Sequence, residues 1–222
     1  MLIAEDLVLL VFDDEKGKPI SGASNLEYAL AGALLIELAT LGRVDVTTGE
    51  KKSGRLALGD TSPTGQPVLD DALAKLSKYD GRKPKDVIGP LAGGNLSGRL
   101  LDGLAERGVL RKEKEKVFGL FPVTSWPAAD SKHEEEVRSG LRRVLVDGQE
   151  PNEREAALIS LLSAMDFAAK VVDGPDVKAI KKRAKDIAEG NWASTAMRKA
   201  VEEVTSAVMV AMMVPIMMVP NS

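Results

Sequence analysis

Cysteine is absent from the 222 residues. That excludes disulfides, thiolate metal sites and a cysteine nucleophile, and it suits a reducing cytoplasm. Histidine occurs once, as His133 in "SKHEEEVR". A lone histidine without a serine or carboxylate context makes no catalytic triad. It is expected as an exposed residue near a helix N-terminus. Aromatic residues are only 4% of the chain, too few to interleave with the basic clusters as stacking platforms for single-stranded nucleic acid. Neither charge dominates, since the net charge is −3, so only local patches could hold anions. A run long enough to span a membrane is also missing. Nothing after Glu203 is charged, and "AVMVAMMVPIMMVP" holds five of the eight methionines. This run is nevertheless short and contains Pro215. It is read first as a core helix with an apolar tail, and second as a contact for a partner or a membrane. The opening "MLIAEDLVLLVFDDEKGK" carries Glu5 and Asp6 where a secretory leader would carry Lys or Arg. It is expected to be a buried element of the fold.

What is present favours helix. Apolar residues make up 44% and charged residues 28%, an ordinary globular balance. Leu26, Leu30, Ala33, Leu34 and Leu38 recur at helical spacing and stop near Gly42. "RVDVTTGEKKSGRLALGD" alternates like a hairpin around Thr48 and Gly49. Val68, Leu69, Leu73 and Leu76 mark a second helix closed by Asp80 and Gly81, and Leu96, Leu100, Leu101 and Leu104 a third. Further helices are expected at 132–147, 153–171, 176–189 and 191–213. The fold class is therefore mainly α, one helical domain over 1–222 with short β-hairpins, one of them protruding.

Sites for chemistry are scarce. Asp13, Asp14 and Glu15 precede Gly17 in a turn and read as a solvated loop. Glu134, Glu135 and Glu136 suit the first turn of a helix. "LAGGNLSG" lacks the lysine of a P-loop and the strand of a dinucleotide fingerprint. No enzyme activity, metal or cofactor is expected. Two basic clusters stand out: Lys75, Lys78, Arg82, Lys83 and Lys85 against Asp80, and seven cations between Lys178 and Lys199 against Asp186 and Glu189. Such clusters could hold phosphates or an anionic membrane surface, although solvated helix faces also look like this.

Five stretches together resemble the Golgi phosphoprotein 3 family: "AEDLVLLVFDDEKG", "ALAGALLIELATLGRV", "SPTGQPVLDDAL", "LAERGVLRKEKEKVFGLFPVTSWP" and "EGNWASTAMRKAVEEV". They keep the family's order and cover nearly the whole chain, which looks like a bacterial relative. The resemblance implies a mostly helical fold with a protruding hairpin. It also implies a non-enzymatic peripheral membrane protein that binds phosphatidylinositol 4-phosphate, retains Golgi glycosyltransferases, contacts coatomer and self-associates through the hairpin. The family's headgroup pocket uses a tryptophan and three arginines. Ungapped alignment of the quoted motifs puts Gly22, Ala31, Gly94 and Ser97 at those positions. Arg99 aligns with a neighbouring family arginine and is the nearest remaining cation, hence the candidate headgroup contact. The family's N-terminal arginine cluster is not matched.

The expected partners are an anionic phospholipid surface, a second copy of the chain and the tails of membrane proteins. The expected location is the cytoplasmic side of a membrane, peripherally attached. Self-association is expected through a hairpin at 109–122, with Val109 and Leu110 leading in, Arg111 to Lys116 as the turn, and Val117, Phe118, Leu120 and Phe121 leading out. The alternative function is a nucleic-acid-binding regulator with helix 95–110 and hairpin 111–123 as a winged-helix-like unit. Against it, "KEKEK" alternates in sign where a wing that grips phosphate should be uniformly basic, so nucleic acid is not among the expected partners.

Overall fold

The shortest of the early helices is the most enclosed. All eight residues of α1 (Ile3–Leu10) are buried, Glu5 and Asp6 included. This is a computed structural model, and it describes residues 1–23, 25–47, 54–117, 121–190 and 195–213. The next helix, α2 (Leu26–Thr40), is buried on most of its circumference from Ala29 through Ile36. A helix that is apolar all round belongs in the middle of a bundle rather than on its surface. Around α1 and α2 pack α4 (Pro84–Ala92), α5 (Leu96–Glu106), α6 (Lys132–Leu145), α7 (Glu153–Ala164) and α10 (Thr195–Met213). The outer elements are α3 (Pro67–Leu76), α8 (Ala168–Val171) and α9 (Val177–Ala188). Two antiparallel hairpins complete the described chain: β1 (Val44–Thr47) with β2 (Arg55–Leu58), and β3 (Glu113–Val117) with β4 (Phe121–Ser125). The fold is mainly α.

Local chemistry sets the helix starts. Asn152 and Glu155 exchange side-chain-to-backbone hydrogen bonds at 2.9 Å each, a capping box for α7. Asp176 accepts from the Lys178 and Ala179 amides at the start of α9. Pro67 and Pro84 open α3 and α4, where a missing N–H costs nothing.

The structure departs from the sequence-based expectations in several places. Helix α4 was not among the expected helices, and it holds Pro84, Gly89 and Pro90 within nine residues. Val87, Ile88 and Leu91 are buried, and their packing against α2 and α10 outweighs the propensity. The expected helix 153–171 breaks after Ala164, and Asp166 takes a left-handed φ of 53°. Helix α5 stops at Glu106, followed by Gly108 at φ 75°, rather than running to residue 110. Four residues of the expected helix 191–213 (191–194) lie outside the described residues, as does the turn between β1 and β2.

The second hairpin is displaced along the sequence from 109–122. The charged run is not the turn but strand β3, with Glu113 opposite Ser125 and Val117 opposite Phe121. Val109 and Leu110 belong to the body instead. Leu110 is buried and forms an isolated bridge with Ala128. Phe118 and Leu120 lie outside the described residues; Val117 and Phe121 end their strands beside them. Alternating Lys and Glu suit an exposed edge strand, which is why a run that looked like a turn can be a strand. Beyond each other, β3 and β4 have no substantial contact with any other element among the described residues.

The base of this hairpin is anchored at Gly17. The Trp126 amide donates to the Gly17 carbonyl at 2.9 Å, and a Cβ on Gly17 would lie 2.2 Å from the Pro127 nitrogen. Gly17 has φ +58°, so the turn after α1 needs glycine both for its backbone and for this approach. Asp13 forms that turn as expected, accepting from the Glu15 and Lys16 amides.

Candidate functional site

The buried acids of α1 are held by cations from distant elements. Asp6 accepts from Arg154 Nε at 2.8 Å and lies 2.7 Å from His133 Nε2. Glu5 accepts the Leu2 amide at 2.9 Å and meets Arg107 at 2.5 Å. Arg154 also donates to the Met1 carbonyl at 2.7 Å. His133 is therefore not simply a solvent-facing residue; its ring hydrogen-bonds a buried carboxylate, a role invisible while Asp6 was read only as part of an apolar segment. Close by, burial and a hydrogen bond with Asp14 push the Glu134 carboxyl up from 4.5 to about 7, against the pull of Arg138. Arg138 also donates to the Val171 and Leu10 carbonyls. These contacts clamp α1 into the bundle. No group of three or more His, Cys, Asp or Glu among the described residues is placed to hold a metal ion.

Arg99 lies on α5 and donates to Asp71 at 2.8 Å. Burial opposes ionisation of Asp71, but hydrogen bonds from Arg99 and Lys75 hold its carboxyl below the usual value. Arg99 lines a cavity of about 400 Å³ with Arg107, Glu5, Asp102 and Glu106. Asp102 is itself engaged by Lys112 at 2.7 Å and Trp126 Nε1 at 3.0 Å. Two guanidinium groups thus face three carboxylates, which is a poor field for an added anion.

The two basic clusters differ in a way that sequence could not show. On α9, Lys181 meets Asp166 at 2.7 Å, Lys182 meets Asp186 at 2.8 Å, Arg183 meets Glu150 at 3.3 Å and Lys185 meets Glu189 at 3.6 Å. That face is largely neutralised by its own neighbours. In the other cluster Lys75 meets Asp71 at 3.1 Å. Lys78, Arg82, Lys83 and Lys85 form no ion pair among the described residues. The acids of this segment serve the backbone instead: Asp80 accepts the Leu58 amide and Asp86 the Lys83 amide.

This segment borders a groove of about 250 Å³ lined by Lys83, Pro84 and Lys85, by Glu203, Ser206, Ala207 and Val210 of α10, and by Gly54. The sequence reading missed it. Its two sides are more than a hundred residues apart, and one belongs to the unexpected helix. No helix among the described residues is long and apolar enough to cross a membrane.

The profile of Golgi phosphoprotein 3 (GPP34) matches residues 3–204. The chain belongs to the Golgi phosphoprotein 3 family. Vacuolar protein sorting-associated protein 74 of Eremothecium gossypii is 30% identical over 167 residues, covering 66% of this chain and 49% of the relative. The protein of the same name from Schizosaccharomyces pombe is 26% identical over 163 residues, covering 65% and 48%. The chain thus spans about half the length of these curated relatives.

At the positions aligned above with the Golgi phosphoprotein 3 headgroup pocket, this chain places small residues and internal contacts. Ala31 is fully buried in α2. Ser97 donates to the Glu27 carboxylate through its hydroxyl, and its amide lies 3.2 Å from the same group. The first turn of α5 therefore already holds a carboxylate from α2. Beside Gly22, Lys170 donates to the Ser21 carbonyl at 2.9 Å and lies over the Phe167 ring, 4.6 Å from its centroid. Gly94 has φ +82° and open space where a side chain would be.

Proposed function

We propose that this member of the Golgi phosphoprotein 3 family is a non-enzymatic peripheral membrane protein that attaches reversibly to anionic phospholipid surfaces from the cytoplasmic side. The observation that carries the reading is the cluster Lys78, Arg82, Lys83 and Lys85, which no described carboxylate neutralises on a chain of net charge −3. Cations that no described carboxylate pairs, on an acidic protein, are suited to an external anion. Each contributes about 1 kcal/mol near a negatively charged leaflet, so four acting together suffice for reversible attachment without a lipid anchor. The relatives named for vacuolar protein sorting fit a role in which the bound protein engages the tails of membrane proteins.

Selectivity for phosphatidylinositol 4-phosphate is not part of this reading. Gly22, Ala31, Gly94 and Ser97 supply neither the aromatic platform nor the arginines of the family pocket, and Arg99 is engaged by Asp71. Soluble inositol phosphate should therefore bind poorly. Sedimentation with vesicles tests the proposal. Vesicles containing phosphatidylserine should retain the protein at low salt and release it as salt rises, because screening shortens the reach of exposed charges. Equal binding to neutral and anionic vesicles at low salt would overturn it.

A further inference from the structure

The exposed apolar side chains single out one end of the molecule. Val210 is 47% exposed and Met213 75% exposed. Among the exposed large apolar residues of the described chain, only these two share an element. They also share a stripe. Glu203, Ser206, Val210 and Met213 follow one another at three- and four-residue spacing, so they line one side of α10 and become apolar toward its C-terminal end. The opposite side of α10, with Val201, Val204 and Val208, is buried and packs on α2, α4 and α7. A second, solvent-facing apolar stripe is not required by the fold.

Glu203, Ser206 and Val210 of that stripe line the groove together with Lys83 and Lys85, and Met213 follows three residues after Val210. Arg55 of β2 adjoins the same segment, donating to the Gly81 carbonyl at 2.7 Å. Apolar side chains beside unneutralised lysines are the pairing that an anionic bilayer satisfies at once, with phosphates meeting ammonium groups and hydrocarbon taking up the apolar tips. Resting on the peripheral-membrane reading above, we infer that the bilayer-contacting face is the end formed by the start of α4 and the C-terminal half of α10. Lys83 and Lys85 meet lipid phosphates there, and Val210 and Met213 enter the interfacial zone. The Arg99 cavity and the neutralised face of α9 do not contact the bilayer.

The absence of cysteine gives a direct test, because single cysteines can be placed at will. Met213→Cys and, as a control, Glu136→Cys on α6 are each labelled with an environment-sensitive fluorophore. Helix α6 has no substantial contact with α4 or α10. Vesicles of phosphatidylcholine with phosphatidylserine, carrying nitroxide-labelled lipid, should blue-shift and quench the label at 213 and leave that at 136 unchanged. Lys83→Ala/Lys85→Ala should weaken binding by about 30-fold, and Val210→Ser/Met213→Ser by about tenfold. Lys181→Ala/Lys182→Ala should stay within about twofold, since both are already paired, with Asp166 and Asp186. Unchanged circular dichroism in each variant shows that folding is intact. If the wild-type protein ignores anionic vesicles, the peripheral-membrane function fails and this inference with it. If the wild-type protein binds but the label at 213 does not respond, or the α9 variant loses binding while the Lys83/Lys85 variant keeps it, the function stands and the assigned face is wrong. A label at 213 already shielded without vesicles would mean that the chain itself or a second copy covers the stripe, which also overturns the assignment.

Discussion

At the residue scale, the carboxylates buried in and around α1 dominate. The Asp6 side chain is fully buried and relies on Arg154 and His133. Removing one partner of a buried pair leaves charge without compensation, which is far costlier than losing an exposed pair. Arg154→Met should therefore lower unfolding stability by about 3 kcal/mol in urea denaturation, whereas Lys182→Met, which breaks an exposed i, i+4 pair, should change it by less than about 0.5 kcal/mol. Glu134 gives a pH signature. Its folded value of about 7 exceeds its ordinary 4.5, so between these limits the folded chain holds a proton that the unfolded chain has lost. Its contribution to stability is complete below 4.5 and is lost as pH rises through about 7. Glu134→Gln should flatten that decline in unfolding free energy between pH 4.5 and 7; a slope equal to that of the wild type would show that another group carries it.

At the element scale, α2 and α10 approach closely at Gly32. A Cβ on Gly32 would lie 2.6 Å from a Val208 methyl and 3.2 Å from a Leu161 methyl. Alanine is the better helix former by about 1 kcal/mol, but forced overpacking costs about 1–3 kcal/mol. Val208 and Leu161 are both buried in a filled core and have little room to retreat. Gly32→Ala should therefore destabilise. Gly89→Ala in α4 is the matched control. Its added methyl would meet nothing within 4 Å, so it should stabilise by about 0.5–1 kcal/mol. Thermal melts of both variants against wild type would show whether packing or propensity governs each helix.

At the scale of the whole molecule, the second hairpin is the open question of assembly. Strands β3 and β4 pair with each other and with little else in the described chain. An isolated two-stranded ribbon is marginal in water, so a covering partner would stabilise it. The exposed Glu113 and Lys114 can meet opposite charges across a two-fold axis. Replacing residues 113–125 with a short glycine turn between Lys112 and Trp126 should shift sedimentation toward the monomer and leave helical content unchanged. A wild-type protein that is monomeric at high micromolar concentration would remove the hairpin's role in self-association.

The sequence by itself determined the helical class, the first hairpin, the presence but not the position of the second, and the apolar faces of α2, α3 and α5, because periodicity and turn residues act within a few positions of one another. The resemblance to the Golgi phosphoprotein 3 family was legible for the same reason, in short quoted motifs kept in order. What only the tertiary structure decided depends on distance in space. Pro90 is tolerated in α4 because Val87, Ile88 and Leu91 are buried, a gain invisible to local propensity. "KEKEK" became a strand because Phe121 to Ser125 pairs with it and fixes its register. His133 found Asp6 across 127 positions. Most of all, the two basic clusters separated: Lys181, Lys182, Arg183 and Lys185 of α9 each meet a carboxylate, whereas Lys78, Arg82, Lys83 and Lys85 meet none among the described residues. Charge is counted along a chain, but it is neutralised through space.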